Sequence, residues 1–214
     1  MKYDANKHRR QSLRLQNYDY STSGAYFITI CTQERINFFG QVDKNAMRLN
    51  SAGQLIQKCW LKLSDRFSNV NLDTFVVMPN HFHGILILDT GKRAPTRGAP
   101  TNEGIKRTPT IGEIVGGFKS ITTNEYIKRV KTENWKEFPG KLWHRNFYEH
   151  VIRNEKELEL IRAYIEYNPL GWFYDPNNVL VSEKVKIERE NHLKEHLGLD
   201  NNPRGFLMNL DSFA

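Results

Sequence analysis

The pattern of the chain predicts an α+β fold: a ferredoxin-like or RRM-like antiparallel sheet with helices packed on one or both faces. Three observations predict it. Short runs rich in β-branched and aromatic residues are interspersed with segments of helical period. Two of those runs are separated only by Pro79 and Asn80, a turn-forming pair that suits an antiparallel connection. The coarse order is strand, helix, strand, strand, helix, strand, helix.

The first strand is AYFITICT at 25–32. Phe38 and Phe39 then lead to Gly40, read as a turn. A helix is expected over 51–67, where Leu55, Ile56, Cys59, Trp60 and Leu63 recur at helical spacing and Ser51 is placed to cap it. Residues 73–78 form the second strand and 81–88 the third. The stretch 89–110 is rich in Gly, Pro, Thr and basic residues and has no hydrophobic period. It reads as a flexible basic loop of a length that is usually functional. Thr110 and Glu113 stand at capping-box spacing and open a helix that Ile114, Val115, Phe118, Ile121 and Tyr126 carry to about Val130. Leu142, Trp143 and residues 147–152 are further strand material. Asn154 and Glu157 open a last helix through Leu158, Ile161 and Ile165, which Pro169 is expected to stop. Residues 183–197 read as a charged amphipathic helix. Three parts follow: a basic arm (1–23), one domain (24–175) and a C-terminal helical extension with a tail (176–214).

Bulk properties narrow the class. The 214 residues are 39% hydrophobic and 26% charged, as in a soluble globular protein. No apolar run reaches the ~20 residues needed to span a bilayer. The basic N-terminus lacks the apolar stretch of a secretory signal, so no membrane partner is expected. Cys31 and Cys59 have no metal-type spacing and read as buried thiols of a reducing cytoplasm. The net charge of +7 favours a polyanionic partner. It does not separate nucleic acid from an acidic membrane surface.

Four residues can carry chemistry. On a strand, His81 and His83 face the same side, about 7 Å apart at the backbone, and two imidazoles so placed can converge on one metal while Phe82 points into the core. Such His-X-His pairs also occur by chance, but this pair follows a turn and stands in an otherwise apolar run. Tyr164 and Asn168 are neighbours on one helix face, about 6 Å apart along the axis. A tyrosine, with a pKa near ~10, attacks a phosphodiester only when a metal polarises the phosphate. The same two residues, taken alone, read more readily as a core tyrosine and a helix C-cap, and Tyr148 and Tyr167 compete as nucleophiles. Trp143, His144, Arg145, Phe147, Tyr148, His150 and Arg153 interleave cations with rings, which suits single-stranded nucleic acid or an ordinary edge strand. Lys119 can extend a basic surface.

In this order and spacing the segments carry a resemblance. VVMPNHFHGILI (76–87) resembles the histidine–hydrophobe–histidine segment of the single-tyrosine HUH transposases of the insertion-sequence type. LWHRNFYEHVIRN (142–154) and YIEYNP (164–169) are similar to the later block of the REP-associated tyrosine transposases, a domesticated bacterial branch. YFITI (26–30) and GFKS (117–120) match the general pattern, and the resemblance covers about residues 24–175. It implies a ferredoxin-like domain that binds Mg2+ or Mn2+ through His81, His83 and Asn168, with Tyr164 as nucleophile. It implies cleavage and rejoining of single-stranded DNA through a 5′-phosphotyrosine, with a hairpin-forming repeat as target and a homodimer as one assembly. Lys119, Trp143, Arg145 and Arg153 are the expected DNA-binding residues. Covalent storage of the bond calls for no nucleotide cofactor, and the chain has no ATP-binding motif. The implied location is the bacterial cytoplasm, on the nucleoid when bound. Two other readings stay open: a DNA-binding regulator that no longer cuts, and a metal nuclease that uses water.

Overall fold

The computed structural model describes residues 19–89, 108–175, 177 and 178. The basic arm before residue 19, nearly all of the basic loop and the helix expected at 183–197 lie outside the described residues. The elements are β1 (Gly24–Cys31), β2 (Gly40–Asp43), β3 (Ala46–Leu49), α1 (Ser51–Leu61), α2 (Leu63–Arg66), β4 (Val70–Val77), β5 (His81–Leu88), α3 (Ile111–Glu133), β6 (Tyr148–Ile152) and α4 (Glu155–Gly171). Four strands form one antiparallel sheet in the order β4-β5-β1-β6. With α1 leading towards β4 and α3 towards β6, this is the split βαββαβ arrangement expected.

The sheet is covered on both faces. Tyr26, Ile28 and Ile30 of β1 and Phe82, Leu86 and Leu88 of β5 join Ile56 and Trp60 of α1 and Ile114 and Phe118 of α3 in the larger core. Period-two alternation sends Phe27 and Ile85 to the other face, where they meet Ile161, Tyr164 and Ile165 of α4. Gly84 marks a tight approach on the first face. A Cβ there would lie 2.7 Å from the Trp60 ring and 2.8 Å from Phe82, so the missing side chain is what lets the tilted Trp60 ring come within 4.5 Å of Phe82 between centroids. No helix among the described residues is long and apolar enough to cross a membrane.

Several local expectations are corrected. The carboxamide of Asn50, not Ser51, caps α1, accepting from the Gly53 N–H at 2.9 Å. The helix expected over 51–67 is split at Lys62. A hairpin, β2–β3, fills a stretch left unassigned; both of its loop residues, Lys44 and Asn45, have positive φ, the signature of a twist-matched two-residue turn. Leu142 and Trp143 form no strand, and Trp143 contributes only an isolated bridge to Thr32. Pro169 does not stop α4 but lies inside it, two residues before its end. A proline there forfeits one N–H bond in the last turn only, where the surrounding packing holds the helix together. Cys31 is buried, Cys59 only half-buried, and both are reduced. The Thr110–Glu113 capping box forms as expected.

Replacing Gly84 by Ala is expected to cost about 1–3 kcal/mol through overpacking. The check is urea denaturation followed by tryptophan fluorescence; an unchanged midpoint sinks the prediction.

Candidate metal and nucleophile site

His81 and His83 begin β5 and face α4. Both are essentially fully buried, and their ring centroids lie 4.6 Å apart. Each is aimed through Nδ1. His83 Nδ1 lies 2.8 Å from the Thr29 hydroxyl on the neighbouring strand, its cross-strand partner. His81 Nδ1 lies 2.9 Å from Asn80 Oδ1.

The Asn80 contact decides a tautomer. Asn80 is itself buried, and its amide NH2 donates to the carbonyls of Arg35 (2.9 Å) and Asn177 (2.8 Å). Its Oδ1 must therefore accept, so His81 Nδ1 carries the proton and donates. In the neutral ring Nε2 is then a lone pair directed inward, the arrangement by which a neighbouring group readies an imidazole for ligation. The sequence marked Asn80 only as half of a turn-forming pair and Thr29 only as a strand residue.

Helix α4 brings Tyr164 to this face. Its ring sits 5.3 Å from His83 and 6.0 Å from Phe27 between centroids, and its hydroxyl is shielded from solvent. Asn168, one turn on, is also buried, and its Oδ1 has no hydrogen-bond partner among the described residues. Its position inside α4 removes the C-cap reading. Of the competing tyrosines, Tyr148 is held by burial, and secondarily by Glu157, at a pKa pushed up to about 12, which makes it a phenol hard to ionise. Tyr167 is exposed on the outer side of α4.

Imidazole nitrogens and an amide oxygen are donor types that divalent ions take, and Asn168 Oδ1 is buried. Among the described residues no three His, Cys, Asp or Glu side chains are grouped as a cation cage.

Helix α4 is clamped to the sheet by charge. Arg162 grips Asp73 of β4 with two parallel hydrogen bonds, Nε to Oδ1 at 3.0 Å and Nη2 to Oδ2 at 2.6 Å. The guanidinium holds the Asp73 carboxyl well below its ordinary value, at about 2. This pair sits two residues from Tyr164 and sets where that side chain lands.

The expected nucleic-acid residues divide. Trp143 is buried in the larger core, and its indole N–H donates to Thr122 Oγ1 at 2.9 Å. It is a packing residue with no face left for a base. The Lys119 ammonium donates to the carbonyls of His144 and Asn146 at 3.0 and 2.9 Å, and burial pushes its pKa down to about 8. It shapes the loop while remaining charged at neutral pH. Arg145 and Arg153 are exposed. Lys119, Asn124, Lys141 and Arg145 line a shallow basic cleft between α3 and the 140–145 loop. That loop is bonded through the His144 N–H to the Cys31 carbonyl, at the end of β1 that pairs with His81.

No protein-family model matches the chain. The chain is similar to an uncharacterized protein of Haemophilus influenzae, 38% identical over 179 residues, which span 81% of this chain and 96% of that protein. Among solved structures it is similar to a REP-associated tyrosine transposase bound to a REP hairpin, at 20% identity and a TM-score of 0.44 over 75% of this chain and 74% of that one. It is also similar to a candidate transposase of Deinococcus radiodurans, at 16% identity and a TM-score of 0.39 over 72% of this chain and 96% of that one. Likeness at this level does not carry function by itself.

The Asp73–Arg162 clamp has a pH signature. The folded carboxyl titrates below the unfolded one, so the clamp's stabilisation is present above the unfolded pKa of ~4 and is lost as pH falls through the folded value of about 2. Asp73→Asn is expected to lower the melting temperature at pH 7 and to converge with the wild type near pH 2. Parallel melting curves across that range, with a constant gap, count against it.

Proposed function

The chain belongs to the family of the uncharacterized Haemophilus influenzae protein, and for this member we propose a metal-dependent transposase that cuts and rejoins single-stranded DNA through Tyr164. The observation that carries the reading is the buried face of β5. There two histidines are pinned through Nδ1, with Tyr164 packed against one of them. Support also comes from the motif order at 76–87, 142–154 and 164–169, which resembles the REP-associated branch of the single-tyrosine transposases.

His81, His83 and Asn168 would hold Mg2+ or Mn2+, whose chemistry when bound is to withdraw charge from the scissile phosphate. The Tyr164 oxygen attacks phosphorus; an O–P bond forms and the bond to the 3′ oxygen breaks. The phenol gives up a proton and the departing 3′ oxygen gains one, so charge balances. The 5′-phosphotyrosine stores the bond energy, and attack by a 3′-hydroxyl reverses the step. Asn80 and Thr29 keep the imidazoles aimed, and Asp73–Arg162 positions α4. Arg145 and Arg153, with the charge of Lys119, attract the strand, and a hairpin-forming repeat is the proposed target. Because the Tyr164 hydroxyl is shielded, DNA reaches it only after neighbouring chain moves. That shielding is also the one observation that favours the second reading, a DNA-binding regulator that does not cut.

Incubation with labelled hairpin-bearing single-stranded DNA and Mn2+ is expected to yield a denaturation-resistant adduct that Tyr164→Phe abolishes. Cleavage that survives the substitution makes the protein a hydrolytic nuclease. Binding without cleavage makes it the silent regulator. Binding should also weaken steeply with added salt, and a flat salt response removes the basic surface from the reading.

A further inference from the structure

The turn that follows β1 is strained. Glu34 and Arg35 are consecutive and both have positive φ, 57° and 52°. That left-handed backbone crowds a Cβ, and it persists only where the surroundings fix it. The Asn80 amide donates to the Arg35 carbonyl at 2.9 Å, and the Gln33 N–H donates to the Leu142 carbonyl at 2.9 Å. The second bond ties the turn to the loop after α3. From its other side that loop is held by the Lys119 ammonium, which donates to the carbonyls of His144, Arg145 and Asn146 at 3.0, 3.4 and 2.9 Å. The carbonyls face inward to Lys119, while the side chains of Lys141, His144 and Arg145 are exposed.

Between this loop and α3 lies an open cleft of about 330 Å³. Its two walls carry different donors. Ser120, Thr123 and Asn124 share one side of α3, at helical spacings of three and four, and bring two hydroxyls and an amide. Lys141, His144 and Arg145 bring the charge from the loop. None of the described residues that line the cleft is Asp or Glu. Burial, and after it the charges of Lys119 and Arg35, hold the His144 pKa below its ordinary value, so these two cations add to the positive field at the loop wall. Cations, hydroxyls and an amide NH2, with no carboxylate to repel an anion, are the groups that bind phosphate oxygens. The floor has little to offer a base, because Trp143 is buried and its indole N–H is given to Thr122. The His144 N–H is bonded to the Cys31 carbonyl, and Cys31 opposes His81, so the loop wall is docked at the end of the sheet where β5 begins.

We propose that this cleft is a phosphate subsite, which grips the sugar–phosphate backbone of a single strand through Ser120, Asn124, Lys141 and Arg145 and reads no base. The inference rests on the DNA reading proposed above and adds to it a contact area apart from the histidine face. Backbone contacts of this kind fix where a strand lies without carrying sequence information.

Fluorescence anisotropy of the full chain with two labelled strands of equal length, oligothymidylate and a strand of abasic sugars, tests it. The wild type is expected to bind both, more weakly as salt rises. Lys141→Gln is expected to weaken both alike and to reduce the slope of log affinity against log salt by about 0.7, the value of one phosphate contact on a single strand. Ser120→Ala, which removes no charge, is expected to weaken both by about tenfold with the slope unchanged. Lys58→Gln removes the same charge from the exposed side of α1, outside the cleft, and is expected to bind nearly as the wild type does. If the wild type binds neither strand, the DNA reading fails and this inference goes with it. If the wild type binds and both cleft variants bind as tightly, only the subsite is overturned. A loss confined to oligothymidylate, or a loss as large in Lys58→Gln as in Lys141→Gln, overturns it as well, the first by showing base contacts and the second a diffuse field. Should a cleft variant not fold, magnetic resonance of the wild type decides. The abasic strand is expected to shift the backbone amide signals of Ser120, Asn124 and Lys141, and signals that stay in place while the strand binds overturn the proposal.

Discussion

Strand β5 is buried on both faces, and the strict alternation of a strand forces each of its residues to one interior or the other. Phe82, Gly84 and Leu86 face α1 and α3, while His81, His83 and Ile85 face α4. A slip of one residue would drive the imidazoles under Trp60 and Phe118 and turn Phe82 towards Tyr164. The contact of Trp60 with Phe82 over the bare backbone of Gly84 holds the register on one side. The eight-residue pairing with β1, in which Cys31 opposes His81 and Thr29 opposes His83, holds it on the other. The position of every donor at the site follows from that register.

Burying two imidazoles is costly unless their polar atoms are satisfied, at about 1–3 kcal/mol for each group left without a partner. The fold offsets this through Nδ1, with a hydroxyl from β1 for one ring and a carboxamide from the preceding turn for the other. Asn80 is the more constrained of the two. Because its NH2 is committed to two carbonyls, its oxygen has one orientation, and that sets which nitrogen of His81 is left to face Asp175. A single turn residue thereby couples the start of β5 to the segment that follows α4.

Helix α4 gives the second half of the site its place. The Arg162–Asp73 fork ties its middle to the edge strand β4, and Ile161 and Ile165 anchor it in the smaller core. Asn154 caps its start by accepting from the Glu157 N–H. Continuation of the helix through Pro169 keeps Asn168 at a helical, inward position rather than at a solvated end. On the far side of the sheet, Lys119 donates to the loop carbonyls of 144–146 and Trp143 fills the core, so of the four residues expected to bind DNA only Arg145 and Arg153, on either side of β6, are exposed.

The elements that could be read along the chain are those set by local period and capping. β1 and β5 were legible from apolar β-branched runs, α3 from its Thr110–Glu113 box, and the shared face of His81 and His83 from simple alternation. What escaped depends on contacts between distant residues. Pro169 reads as a stop because local rules count only its missing N–H, not the packing that holds the last turn. Trp143 reads as a base-stacking ring because a one-dimensional pattern does not reveal that Thr122 awaits its indole. Asp175 carries no local signal, because its buried carboxylate lies near the His81 imidazole, far back in the chain. The amino-acid sequence by itself determined which side chains share a face. Only the tertiary structure decided which faces meet, because that depends on how β1, β5 and α4 pack, and no residue's neighbours in the chain specify it.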